Sequence, residues 1–175
     1  MNESPEIVAQ NRTMEILNEK MKELAEAIRA NHEAAGQVAS GRMRDSLQSV
    51  TLHDNRIFIG FVDALNYVEA LERGNAPWED IPIREATDGH YYAYVPGWFA
   101  ETIGQWMHDK GIEETKERNR WSVAWNIIHF GTKLFQDGGR TDIYSDLVDQ
   151  YSDEIANEIM KEYDTIINTI TLNNK

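Results

Sequence analysis

Two apolar ladders at helical spacing stand near the two ends of this chain, and they constrain its fold more than anything between them. In residues 6–34, Met14, Leu17, Met21, Leu24 and Ile28 recur three and four positions apart. Glu15, Asn18, Glu19, Lys22, Glu26 and Arg29 occupy the other face. Residues 143–170 repeat the pattern with Val148, Tyr151, Ile155, Ile159, Tyr163, Ile166 and Ile170. A period of about 3.6 residues places each set on one side of an α-helix. Stripes this narrow, bordered by charge, need a cover: a sheet, each other or a neighbouring subunit. Gly36 and Gly41 close the first ladder, because glycine ends helices and loosens the chain that follows.

Between the ladders the period changes. Val50 and Leu52 alternate with Ser49, Thr51 and His53, and Ile57, Ile59 and Phe61 form a returning alternation. With Asp54-Asn55 as the turn, residues 47–61 predict a β-hairpin. Residues 64–73 predict a short helix, stopped by Gly74 and Pro77. Residues 75–89, with two prolines, Gly89 and mixed charges, predict a loop. The aromatic run 90–95 predicts a third strand, closed by Pro96-Gly97. Helices are predicted over 98–110, with Phe99, Ile103, Trp106 and Met107 on one face, and over 120–130, with Trp121, Ala124, Trp125 and Ile128 on one face. Residues 136–142 predict a turn-rich loop. The sum is an α+β fold: a small antiparallel sheet packed with long N- and C-terminal helices. The 175 residues suit a single domain, 1–175, in which 75–97 is a loop or insertion carrying a short strand.

Composition narrows the partners. The chain carries 30 acidic and 17 basic residues, a net charge of −13. That charge repels phosphate backbones and anionic lipids, so nucleic-acid recognition by a basic surface is not expected. It suits solubility, docking on basic partners, or a lumen past which DNA slides without sticking. No apolar run reaches the roughly 18–20 residues of a membrane span, and the opening MNESPEIVAQ is polar and acidic, so neither membrane nor secretory signal is expected. Cysteine is absent, which excludes disulfides and thiolate metal sites.

Residues able to do chemistry are present without the spacing that chemistry needs. His32, His53, His90, His108 and His129 form no HExxH or HxH pair. Asp88-Gly89-His90 could set an acid beside a base in a loop, yet reads more simply as a strand edge. Glu79-Asp80 and Glu113-Glu114 lack the D-x-D-x-D-G order of a calcium loop and read as solvated charge. No serine sits in a G-x-S-x-G elbow. Gly138-Gly139-Arg140 is followed by no Lys-Ser/Thr, so it reads as a loop hinge rather than a phosphate cradle. No catalytic, cofactor-binding or metal residue is therefore assigned. Trp98, Phe99, Trp106, Trp121 and Trp125, with Tyr91, Tyr92 and Tyr94, suit a packed core or a subunit interface better than a ligand pocket. The i, i+4 pair Trp121/Trp125 reads as core spacing first.

Several segments taken in order resemble the head-to-tail joining (neck and tail-completion) proteins of tailed bacteriophages. Ser40-Gly41-Arg42-Met43-Arg44-Asp45-Ser46 stands where that family has "TGRLR.S" leading into a hairpin. Asn66-Tyr67-Val68-Glu69-Ala70-Leu71-Glu72-Arg73-Gly74 resembles its "YA.YVE.GT" segment, with Asn75 where threonine is usual and about two residues of stretch. Ile103, Trp106, Lys110 and Gly111 match "I..W...KG", and a helix then ends in Gly131-Thr132-Lys133. The family's proline-rich "P.PFLRPA" is replaced by residues 134–143, a departure that touches the contact made there. The matches span about residues 5–165.

The resemblance implies a non-enzymatic virion protein, assembled in the host cytoplasm. It would form a homo-oligomeric ring, a dodecamer in preference to a hexamer, between portal and tail or other neck proteins. DNA would pass through its lumen without specific contact, and no cofactor would be needed. The hairpin, 75–97 and the 133–142 loop are the expected docking elements. Arginine and aromatic residues in loops single out Arg42, Arg44, Trp78, Trp98, Arg140 and Tyr144 for subunit contacts. The alternatives are a tail-terminator ring, a cytoplasmic helical adaptor dimerising through its end helices, and a small hydrolase using His90 with Asp88.

Overall fold

A computed structural model describes residues 4–54, 57–63 and 68–173. Asn55 of the expected hairpin turn, residues 64–67 of the expected third helix, and the side chain of Ile170 lie outside the described part. The chain is α+β, and its packing divides it into two compact units. The first comprises Met1–Ala35, Arg44–Leu65 and Thr141–Lys175; the second comprises Gly36–Met43 and Asn66–Arg140.

The first unit is built on two long helices and a hairpin. α1 spans Pro5–Ala34. Ser4 caps it by accepting the Ile7 N–H at 3.4 Å, and Pro5 holds a helical φ where no N–H is needed. Gly36 follows its end at φ +64°. Leu17, Met21, Leu24 and Ile28 of the expected stripe are buried, and Met14 is half-buried. Leu47, at 1% exposure, joins them from the segment after the short helix α2 (Arg42–Ser46).

β1 (Gln48–Asp54) and β2 (Ile57–Asp63) pair antiparallel, with Val50 opposite Phe61 and Leu52 opposite Ile59. Phe58 and Val62 of the hairpin pack on the α1 core, and Gly60 lies on the same side. A Cβ at Gly60 would stand 2.7 Å from Met21 Cγ and 2.9 Å from Leu17 Cδ1, so any larger residue there would force those side chains to move. α7 (Ser145–Asn173) closes the unit, with Leu147, Tyr151 and Ile155 on the same core. Lys20 reaches Glu154 at 3.4 Å across the helix pair, and Arg12 reaches Glu162 at 3.2 Å. Exposed pairs of this kind orient helices more than they stabilise them.

The second unit is made of short pieces fixed at their ends. α3 (Val68–Arg73) is followed by β3 (Ile83–Glu85) and β4 (Tyr91–Ala93), which pair with each other, Arg84 opposite Tyr92. The strand expected over 90–95 is thus present, but it forms a second sheet with residues read as loop and does not extend the first. Three-residue strands carry too little pattern to register as period 2.

α4 (Gly97–Asp109) ends in a Schellman motif: Ile112 N–H donates to Met107 O at 2.8 Å and Gly111 N–H to His108 O at 2.9 Å, with Gly111 at φ +67°. Ile112 returns to the core of Ile103, Met107 and Ala124. α5 (Arg120–Phe130) opens with a full capping box, Asn119 Oδ1 accepting the Ser122 N–H at 3.0 Å and Ser122 Oγ accepting the Asn119 N–H at 3.1 Å. It stops at Gly131, where φ is +78° and a Cβ would meet Asn75 O at 2.7 Å. A single turn, α6 (Lys133–Gln136), follows inside the segment expected to be loop.

Candidate subunit-contact surfaces

The six residues singled out by sequence divide three ways. Arg44 and Tyr144 are used within the first unit. The Arg44 guanidinium pairs with Glu33 at 3.0 Å and Asp45 at 2.7 Å, which raises its pKa, the Asp45 hydrogen bond contributing most. Tyr144 packs on the α1 core. Arg140 is anchored in the second unit, its backbone N–H donating to Glu72 O at 2.8 Å. Gly139 allows that approach, since a Cβ there would lie 2.8 Å from the same oxygen. The Gly138-Gly139-Arg140 turn is therefore a backbone clasp against the end of α3.

Trp78, Trp98 and Arg42 are gathered in the second unit. Trp78 stacks on Trp98 at 5.9 Å between ring centroids and tilts against Phe99 at 5.0 Å. The Trp78 backbone N–H donates to Ile128 O at 3.0 Å, which ties this stretch of chain to α5. Trp98 is 63% exposed. It lines a shallow depression that Arg42 also borders, with Glu101 and Asp109 of α4. An arginine beside an exposed tryptophan that stacks on a half-buried one is the composition of an interface anchor.

The expectation that Trp121 and Trp125 belong to the core is corrected. Ala124 and Ile128 are the buried positions of α5, at 0% exposure, whereas Trp121 is 51% exposed. Helix α5 is apolar around most of its circumference, so spacing alone did not say which side faces in. Trp125 shields His129 instead, their rings 4.0 Å apart.

Three apolar surfaces escaped the sequence reading. The hairpin's outer face carries Val50, Leu52, Ile57, Ile59 and Phe61, of which Ile57 is 61% exposed. The alternation was legible, but it marks the outward side: the inward side is held by Phe58, Gly60 and Val62, and glycine hides its role in any hydropathy pattern. In the second unit a groove of about 660 Å³ runs between α4, α5 and α6, floored by Ile103, Trp106, Val123, Ile127, Phe130 and Leu134. On α7, Met160, Tyr163 and Ile167 form a further exposed stripe.

The charged connection before α5 is ordered by one ion pair. Arg120 Nε donates to Glu114 Oε1 at 2.7 Å, and the Arg120 backbone N–H donates to Glu114 Oε2 at 2.9 Å. The side-chain hydrogen bond is the main reason that the Glu114 carboxyl titrates below its ordinary range. Gly104 makes room, since a Cβ there would lie 2.8 Å from Arg120 Cζ. Asp88 accepts the His90 backbone N–H at 3.1 Å, and so helps close the β3–β4 turn. Among the described residues no three histidine or carboxylate side chains gather as metal ligands would, and no helix is long and apolar enough to cross a membrane. The chain matches no family model, no curated protein and no solved structure.

Proposed function

We propose that this chain is a structural virion subunit that assembles as a ring at the portal–tail junction of a tailed phage and lets DNA pass through its centre. The observation that carries the reading is the distribution of large exposed apolar side chains. Each unit has its own core, yet each also leaves an apolar face uncovered: the hairpin's outer side in one, the α4–α6 groove and Trp98 in the other. Contiguous exposed apolar surface marks sites of association. A subunit with different sticky faces makes heterologous contacts, which close into a ring where the rotation between neighbours closes. Two of the segments that resemble the joining family touch these faces: Arg42 borders the Trp98 depression, and Gly131, Thr132 and Lys133 line the α4–α6 groove. A net charge of −13 suits a lumen that does not retain DNA.

Light scattering of the purified chain across a concentration series, with negative-stain images of the same fractions, tests the reading. Rings of twelve subunits, free or formed on a portal, are the expected result. A six-membered ring would turn the assignment towards a tail terminator. A stable dimer that neither closes nor binds a portal would overturn it in favour of an adaptor.

A further inference from the structure

We infer that the α4–α6 groove receives the exposed stripe of α7 from a second copy of the chain. The inference rests on the ring reading above and names one of its contacts.

Charge decides the occupant. Helix α7 carries seven carboxylates and one cation, Lys161. One side of it packs on α1 through Leu147, Tyr151 and Ile155. Roughly opposite, Ala156, Met160, Tyr163 and Ile167 follow one another at spacings of four, three and four, and all are exposed. Asp153 is seven residues before Met160 and Asp164 four after it, so exposed carboxylates border this second stripe. An amphipathic helix so built, apolar with an acidic margin, needs an apolar groove with a basic rim.

The α4–α6 groove has that composition. Arg118 and Lys133 stand on its rim, Lys133 in a pair with Asp137, which is not among the lining residues, and none of the residues lining it is acidic. In a chain with 30 acidic and 17 basic residues, a lining that holds cations and no carboxylate stands apart. Helix-in-groove docking reads anchors at spacings of three and four, as Met160, Tyr163 and Ile167 are arranged. An α7–α7 contact between copies would instead set like charges together. Because groove and stripe are different surfaces, the contact is heterologous and propagates from copy to copy.

The test uses the full chain with two double variants, each checked by its thermal melt. Arg118→Glu with Lys133→Glu reverses the rim, and Asp153→Lys with Asp164→Lys reverses the stripe. Each alone is expected to raise the midpoint concentration of assembly by about tenfold or more, since like charges now face each other. An equimolar mixture is expected to recover assembly, because each variant supplies the surface its partner lacks. If either variant forms rings at the wild-type midpoint, or the mixture fails to recover, the contact is wrong while the ring reading stands. If the wild-type chain stays monomeric alone, the same variants and their mixture are compared for ring formation on a portal, where the same outcomes decide; a chain that neither self-assembles nor binds a portal overturns the contact and the ring reading together.

Discussion

The two units hold themselves together in different ways. The first is a packing structure: α1 and α7 contribute long periodic stripes, and the hairpin lies on them. Its core cluster is made of Leu, Ile and Met side chains, and its helix pair is dressed with ion pairs at the surface. The second is a structure of closures. Its helices are short, its buried core is small, and caps, positive-φ glycines and backbone hydrogen bonds between loops fix its ends. Most of its aromatic rings face outward. The difference teaches where stability and recognition are kept: the first unit has side chains to bury, and the second spends its large ones on the surface.

The sharpest test of this contrast pairs two core truncations. Ile28→Ala in the first unit and Ile128→Ala in the second should each cost about 2–5 kcal/mol, measured by urea denaturation. Hydrogen exchange should accelerate first in α1, β1, β2 and α7 for one variant, and first in α4 and α5 for the other. Equal acceleration everywhere would break the comparison. Next in size is Gly131→Ala, which places a Cβ against Asn75 O and forces a side chain onto a backbone nearly reserved for glycine. About 2–3 kcal/mol should be lost, chiefly from the second unit. Asn119→Ala removes the α5 capping box and should cost about 1 kcal/mol.

The Arg120–Glu114 pair gives a smaller effect with a defined sign. The Glu114 carboxyl is held below 4.5, so the pair's contribution is present above that pH and is lost as pH falls through the lower folded value. Glu114→Gln should therefore flatten the acid side of the stability profile slightly and leave neutral pH nearly unaffected beyond the missing pair. Smallest is Trp121→Ala, expected to shift stability within about 0.5 kcal/mol because the ring is half in water. A large loss there would return the outward aromatics to a structural role.

What the sequence made legible follows the same division. The long helices were readable because four or more turns of period 3.6 outweigh local noise: α1 was expected over 6–34 and spans Pro5–Ala34, and α7 was expected over 143–170 and spans Ser145–Asn173. In the second unit, punctuation carried the signal. Gly111 and Gly131 stand just past α4 and α5, whereas the Asn119 cap that opens α5 went unread. The β3 strand stayed hidden because three residues beside a proline carry no period. Trp121 and Trp125 misled because an i, i+4 aromatic pair reads the same whether it faces a core or a neighbour. Of the six residues singled out for subunit contacts, Arg44 and Tyr144 could not be told from internal anchors without partners in space. Trp78 and Trp98, 20 residues apart in the chain, stack only because α5 holds the loop before them.

Gly60 has a consequence for how the hairpin finds its alignment. A β2 slipped by one residue would turn the wrong face inward, and hydrophobicity alone penalises that only weakly here, because both faces of β2 are apolar. A slip by two keeps the faces but brings Phe58 or Val62 to the place where glycine now lies against Met21 and Leu17. The missing side chain thus acts as a key: of the pairings open to a strand that is greasy on both sides, one seats on α1 without moving those side chains, and the spelling of the strand is checked at a single letter.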